Sequence, residues 1–162
     1  RTAPSDNCKI SSGGSASSND ANHISGPSRT GQELSHAINV SLEEAGMKPG
    51  DISYISAHGT ATPFNDEMES KAVSLSGLSD VPLNSFKGYW GHTLGAAGII
   101  ESAAAIHSLK KNMLFRSAGF DSPGVSEKIT VIEQHARAVL RSCLKTASGF
   151  GGCNASIIFE KI

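Results

Sequence analysis

The stretch that decides the fold is KGYWGHTLGAAGIIE, residues 87–101. It follows a short apolar segment and opens a helical one. Gly95 and Gly98 lie near the start of that helix, where a glycine costs roughly 1 kcal/mol relative to alanine, so we expect another backbone or a ligand to approach closely there. Glu101 follows on a helix with little polar surface, and a buried carboxylate needs a partner, for which Lys87 and the backbone of a neighbouring loop are candidates. A solvent-facing lysine and a glutamate at the helix edge are the alternative.

A second segment of the same kind is HGTATPFND, residues 58–66, which also lies between an apolar strand and a helix. Ligands gather at the C-terminal ends of strands in open α/β sheets, so this loop is a candidate site. Asp66 falls in the first turn of the helix, where the helix dipole favours an acid. In the alternative interpretation, His58 is a buried structural histidine and two threonines, Thr60 and Thr62, cap the helix.

A third loop, GFGGCN at residues 149–154, separates two predicted strands. Three glycines in four positions predict a flexible or sharply turned connection with Phe150 at its centre. Spacing alone favours a glycine-rich hairpin that buries this phenylalanine.

The predicted elements alternate between strands and helices. Residues 1–30 are rich in Ser, Gly, Asn and Pro and are predicted to be mostly loop, with one short strand at 8–12. Apolar residues at helical spacing, and apolar runs of strand length, predict helices at 31–46, 64–76 and 94–110 and strands at 52–57, 81–85, 129–132, 138–146 and 155–160. The last helix is apolar almost all round, which predicts burial. This order indicates an α/β fold with a largely parallel sheet that ends in an antiparallel pair.

Composition limits the classes of function. The chain has 162 residues, 14 Lys plus Arg against 15 Asp plus Glu, and a formal net charge of −1, so charge gives no argument for nucleic acid or an anionic membrane. It has no apolar run of membrane-spanning length, and its first residues show no n-region or h-region, so no signal peptide is expected. Its three cysteines lack a CxxC spacing, which favours reduced thiols in the cytoplasm. The six histidines form no HExxH, and no phosphate-binding GxxxxGK[ST] occurs, so neither zinc nor a nucleotide is expected.

The three loops, in this order, resemble those of the C-terminal half of β-ketoacyl-(acyl carrier protein) synthases, condensing enzymes of the thiolase fold. The likeness extends to SNDANHISGP at 18–27 and to the closing strand at 154–162, and covers residue 8 to the end. It implies a thiolase-like α/β half with a five-stranded mixed sheet layered with helices. It also implies that residues 1–162 form the synthase C-terminal domain, with 1–8 as a linker or disordered segment.

The resemblance assigns roles to individual residues. It implies catalytic roles for His58, His92, Lys87 and Glu101, binding of the phosphopantetheine arm or acyl chain by Thr60, Thr62, Phe150 and Gly151, and a structural role for Asp66. Phe150 matches the family's gatekeeping aromatic, whose glycine-flanked loop can swing to admit the acyl chain.

The resemblance also implies a reaction, a decarboxylating Claisen condensation of an acyl thioester with malonyl-ACP. The acyl group rests on a cysteine of the N-terminal half, so the chain alone is expected to be inactive and to expose an apolar face where that half packs. Expected partners are acyl carrier protein, the N-terminal half and, in the complete enzyme, a second copy. No cofactor is expected, because the phosphopantetheine is carried on the acyl carrier protein.

Two other functions remain open at this point. A non-catalytic partner resembling a chain-length factor is disfavoured because both histidines are present. A thiolase-type acyltransferase would pair one histidine with a second cysteine in the glycine-rich region, where Cys153 lies. The Lys87 and His92 pairing argues against it.

Overall fold

The computed structural model describes residues 8–162, so all but the last residue of the predicted linker lies outside the described part of the chain. The elements, in order, are β1 (Ile10–Asn19), α1 (Gln32–Glu44), β2 (Tyr54–Ser56), α2 (Pro63–Leu75), β3 (Pro82–Asn84), α3 (Lys87–Trp90), α4 (Ala97–Lys111), β4 (Met113–Leu114), β5 (Thr130–Val131), β6 (Ala136–Arg137), β7 (Ser142–Gly149) and β8 (Cys153–Lys161).

The main sheet is mixed, as predicted. Its strand order is β1-β8-β7-β2-β3-β5, with antiparallel pairing among β1, β8 and β7 and parallel pairing from β7 through β2 and β3 to β5. The resemblance implies a five-stranded sheet, but the sheet of the described residues has six strands. The additional strand is the two-residue β5, which pairs with β3 at the edge of the sheet. A separate antiparallel pair joins β4 and β6.

Helices cover both faces of the sheet, and each face has its own core. Side chains alternate between the two faces along a strand, so neighbours in sequence enter different cores. Leu144 of β7 packs with the apolar side chains of α1 and α2, whereas Cys143 packs with those of α4. The result is a three-layer arrangement that leaves the strand ends of β2 and β3 open between the layers.

Strand β1 is longer than predicted. The sequence there is almost entirely Ser, Gly and Ala, without the alternation of apolar side chains that indicates a strand. A Cβ added to Gly14 would overlap the carbonyl oxygen of Ser41 in α1. The small residues therefore let α1 lie directly on the strand. Because this contact requires small side chains, the strand lacks the alternating large apolar residues from which a strand is usually predicted.

Helix α4 is not buried all round. Its inner face carries Glu101, Ala105 and Leu109, each with no exposed surface, but Ile99 is 75% exposed. The prediction failed because the sheet covers only one side of this helix within the described residues. An apolar outer face remains, as the resemblance implied for a half that packs against another.

Candidate active site

The loops that follow β2 and β3 lie side by side, because these strands are parallel neighbours with Ser56 opposite Asn84. The Ser85 hydroxyl donates hydrogen bonds to the carbonyl oxygens of Gly59 at 2.8 Å and His58 at 3.3 Å. Gly59 has a φ of +45°, and a Cβ added there would lie 2.6 Å from the Cβ of Ser85. Glycine is therefore required where the first loop leaves its strand.

The two histidine rings from these loops meet. The ring centroids of His58 and His92 lie 5.2 Å apart, with one ring edge-on to the other at an interplanar angle of 80°. His58 is buried and His92 is exposed. The arrangement places two imidazoles side by side, one anchored in the core and one at the surface.

Fixed donors set the tautomer of each ring. The Lys87 ammonium lies 3.1 Å from Nδ1 of His58, and because an ammonium only donates, Nδ1 must accept. The backbone N–H of Leu94 donates to Nδ1 of His92, also at 3.1 Å. A neutral imidazole carries one proton, so both rings hold it on Nε2, and no group within residues 8–162 is hydrogen-bonded to either Nε2.

His58 is uncharged at neutral pH. Burial lowers the pKa of His58 from its ordinary 6.5 to about 4; the Glu69 carboxylate opposes this shift, and the ammonium groups of Lys87 and Lys145 reinforce it. The neutral ring is therefore available as an N–H donor well below pH 7.

Glu101 pairs with Lys87 as predicted, with Oε1 2.6 Å from Nζ. Its other oxygen, Oε2, lies 2.5 Å from Nζ of Lys145 in β7. Burial by itself raises the pKa of a carboxyl group, but the two ammonium groups outweigh it and hold the pKa of Glu101 below its ordinary value. The solvent-facing alternative is wrong, because neither side chain is free at the surface.

Two buried groups beneath the first loop were missed in the sequence. Glu69 of α2 accepts the backbone N–H groups of His58 and Gly59, both at 2.8 Å, and the hydroxyl of Thr146 at 2.5 Å. Lys145 was the second omission, although it directly follows Cys143 and Leu144 in a predicted strand, a position that could have drawn attention to it.

The two threonines of the first loop do not cap the helix. Thr62 occupies the N-cap position of α2 without a capping hydrogen bond from its side chain. Its hydroxyl lies instead 2.7 Å from that of Thr60. Asp66 accepts the backbone N–H of Thr60 at 3.1 Å, and burial raises the pKa of Asp66. Asp66 thus ties the loop to the first turn of α2, and the two threonine hydroxyl groups lie next to each other in it.

A cleft of about 610 Å³ opens beside these groups. Its walls include Thr60, Thr62, Lys87 and His92 on one side and residues 117–125 on the other. The cleft is large enough to accept an extended small-molecule chain.

Close backbone approach occurs at a different glycine from those expected. A Cβ added to Gly88 would overlap the carbonyl oxygen of Ala118, where the second loop meets the opposite wall of the cleft. A Cβ added to Gly95 or Gly98 would have no atom within 4 Å among the described residues. The absence of side chains there leaves open space rather than accommodating another segment of this chain.

Phe150 and Gly151 lie apart from this cleft and are not among its lining residues. The hairpin between β7 and β8 forms as predicted, but Phe150 is 83% exposed rather than buried. Gly151 has a φ of +81° and donates its N–H to the carbonyl oxygen of Ile24 at 2.6 Å. The described chain therefore brings together all the predicted catalytic residues and the threonines, but not the glycine-rich loop.

The cysteines lie away from the cleft. Cys8, Cys143 and Cys153 are free thiols and none lines it. Burial raises the pKa of the Cys143 thiol to about 12. Within residues 8–162 no cluster of three or more His, Cys, Asp or Glu side chains is arranged to hold a metal ion, and no helix is both long and apolar enough to traverse a bilayer.

Comparison with known proteins agrees with the geometry. Residues 10–121 match the family model of the β-ketoacyl synthase C-terminal domain. The 3-oxoacyl-(acyl-carrier-protein) synthase 2 of Rhizobium meliloti is 35% identical over 148 residues, which span 89% of this chain and 35% of that protein. The chain therefore belongs to the β-ketoacyl synthase family, as its C-terminal domain, and spans about a third of the length of the relatives that it matches.

Solved structures show the same fold. A ketosynthase in complex with its chain length factor, from Xenorhabdus doucetiae, superposes with a TM-score of 0.87 at 32% identity, over 94% of this chain and 39% of that chain. A type II polyketide synthase acyl-carrier protein in complex with its ketosynthase gives a TM-score of 0.85 at 31% identity, over 93% and 38%. The thiolase-like α/β class predicted from the sequence is confirmed.

Proposed function

We propose that this chain is the C-terminal half of a 3-oxoacyl-ACP synthase, which condenses an acyl thioester with malonyl-ACP and releases CO₂. The observation that carries this proposal is the pair of imidazoles at His58 and His92, each with its Nδ1 occupied by a donor and its Nε2–H unused within the described residues. The acyl-carrying cysteine would come from an N-terminal half, because none of the three cysteines described here lines the cleft.

The chemistry needs donors that do not give up a proton. When the bond between the carboxylate and the α-carbon of the malonyl thioester breaks, its electron pair forms an enolate whose oxygen becomes negative. Two neutral N–H groups stabilise that oxygen without protonating the carbon, which can then attack the acyl thioester and expel the cysteine thiolate. Loss of one such donor typically lowers the rate by about 10²–10³.

The other residues supply positioning. Lys87 fixes the tautomer of His58 and is itself held by Glu101. Thr60 and Thr62 present adjacent hydroxyl groups in the wall of the cleft, where they would bind the polar phosphopantetheine arm. Gly151 would let the exposed Phe150 swing as an acyl-chain gate in the complete enzyme.

The partners follow from the reaction. One solved relative is an acyl-carrier protein in complex with its ketosynthase, which supports acyl carrier protein as the donor of malonyl groups here. The exposed apolar side of α4 is where the N-terminal half would pack, and the complete enzyme would form a homodimer. The enzyme would act in the cytoplasm and need no cofactor of its own.

Reconstitution tests the proposal. The chain alone should not condense acyl thioesters with malonyl-ACP, and adding a half that bears the cysteine should restore activity. In the reconstituted enzyme, His58→Ala should lower malonyl decarboxylation about 10²–10³-fold, whereas His36→Ala on the exposed side of α1 should not.

Two outcomes would favour the alternatives. Unchanged decarboxylation in His58→Ala would indicate a non-catalytic partner resembling a chain-length factor. CoA-dependent cleavage of acetoacetyl-CoA would indicate a thiolase-type enzyme.

A further inference from the structure

Lys145 is a charged group that the reaction described above does not use. It lies in β7, and only 2% of its side chain is exposed. Its Nζ donates to Oε2 of Glu101 at 2.5 Å and to the carbonyl oxygen of Ala57 at 3.2 Å. A buried ammonium is expensive to desolvate, so a lysine held at this depth calls for an explanation.

The contacts of Lys145 complement those of Lys87. Lys87 donates to the other oxygen of Glu101, to the carbonyl oxygen of His58 at 2.5 Å and to Nδ1 of the same residue at 3.1 Å. The two ammonium groups thus share one carboxylate and hold the carbonyl groups of two consecutive residues, Ala57 and His58. Together they fix the backbone from which the imidazole projects.

The charges beneath His58 balance only if Lys145 is counted. Buried charged groups face the imidazole from four elements, namely Glu69 of α2, Lys87 of α3, Glu101 of α4 and Lys145 of β7. Two positive and two negative charges sum to zero, and without Lys145 the sum is −1. An excess negative charge beside an imidazole favours the protonated ring.

Other titratable groups nearby do not alter this count. Tyr54 lies in β2 and Cys143 opposite it in β7, and burial raises the pKa of both, so they stay uncharged at neutral pH. Asp66 lies in the first turn of α2, where its carboxylate accepts the Thr60 amide. His92 is exposed at the opening of the site.

We infer that Lys145 is a positioning residue for catalysis, whose ammonium cancels the excess negative charge of Glu69 and Glu101 and so widens the pH range over which His58 stays in its uncharged, Nε2–H form. The inference rests on the proposed function, in which the neutral ring is the acting species. Burial is the largest cause of the lowered pKa of His58, and the charges of Lys87 and Lys145 lower it further, which agrees with this role.

The test is an NMR titration of the His58 imidazole in the complete synthase, with the N-terminal half supplied. In Lys145→Met, which keeps the length of the side chain and removes the charge, the titration midpoint of His58 should rise by about one pH unit from its value near 4. Adding Glu101→Gln to this variant restores a zero sum and should return the midpoint towards the original value. Lys128→Met, the same change at an exposed lysine, is the control and should leave it unchanged.

The outcomes separate the two proposals. An unchanged His58 midpoint in a folded Lys145→Met protein, or no return in the double variant, would overturn the role of Lys145 even in an active enzyme. If the single variant unfolds and the double variant folds, the His58 midpoint of the double variant decides: a value near the original supports the inference, and a raised value overturns it. If neither folds, the side chain is needed for packing and the inference fails. An enzyme without decarboxylase activity would refute the proposed function while leaving the titration readable.

Discussion

His92 offers a test in which two similar substitutions should give different results. The Nδ1 atom of this ring accepts the Leu94 N–H at 3.1 Å, and the Nε2–H is the group assigned to the enolate. An asparagine places its amide oxygen close to the position of Nδ1 but has no donor at the position of Nε2. A glutamine places its amide nitrogen near the position of Nε2 and gives up the bond to Leu94.

The expected magnitudes follow from these lost bonds. His92→Asn removes one oxyanion donor, which corresponds to about 2.7–4 kcal/mol, or a fall of about 10²–10³ in the decarboxylation rate. His92→Gln loses a backbone hydrogen bond of about 1 kcal/mol, which corresponds to about a fivefold effect if all of it is expressed in the transition state.

The assay is the release of CO₂ from malonyl-ACP by the complete enzyme at saturating substrate, measured separately from condensation. Thermal unfolding should show both variants folded, because His92 is exposed. Equal rates for the two variants, or a glutamine variant worse than the asparagine variant, would refute the assignment of Nε2–H as the donor.

Three further predictions concern packing and reactivity. Gly88→Ala should destabilise the protein by about 1–3 kcal/mol, because the new methyl group overlaps the Ala118 carbonyl oxygen, whereas Gly124→Ala, in the same cleft but with open space around it, should leave the unfolding midpoint nearly unchanged. Since burial raises the pKa of the Cys143 thiol to about 12, iodoacetamide at pH 8 should leave Cys143 unmodified until the protein is denatured, and peptide mass spectrometry will show whether it does. The isolated 162-residue chain should self-associate through the apolar side of α4, and Ile99→Glu should shift it towards the monomer; a wild-type chain that stays monomeric at high concentration by light scattering would contradict this.

Part of the site could be predicted because its residues are close in sequence. Lys87 and Glu101 are separated by a single loop and the first turns of one helix, and their predicted pairing is observed at 2.6 Å. The same local pattern places His58 directly after a strand. Such features depend on short-range geometry, which a sequence expresses directly.

The groups that were missed come from distant elements. Lys145 reaches Glu101 across 44 residues, and Thr146 reaches Glu69 across 77. These contacts exist because β7 pairs with β2 and so brings its side chains under the first loop. No local pattern around Glu69 indicates that its carboxylate would bind the amides of another loop.

The sequence by itself determined the family, the order of the longer strands and helices, and the loops that carry the two histidines, because these follow from local composition and from motifs of fixed spacing. Only the tertiary structure decided which charges meet beneath His58, on which nitrogen each ring holds its proton, and that Phe150 lies outside the cleft. The physical reason is that desolvation and the pairing of buried charges depend on which strands become neighbours, and strand order is a property of the whole sheet rather than of any one segment.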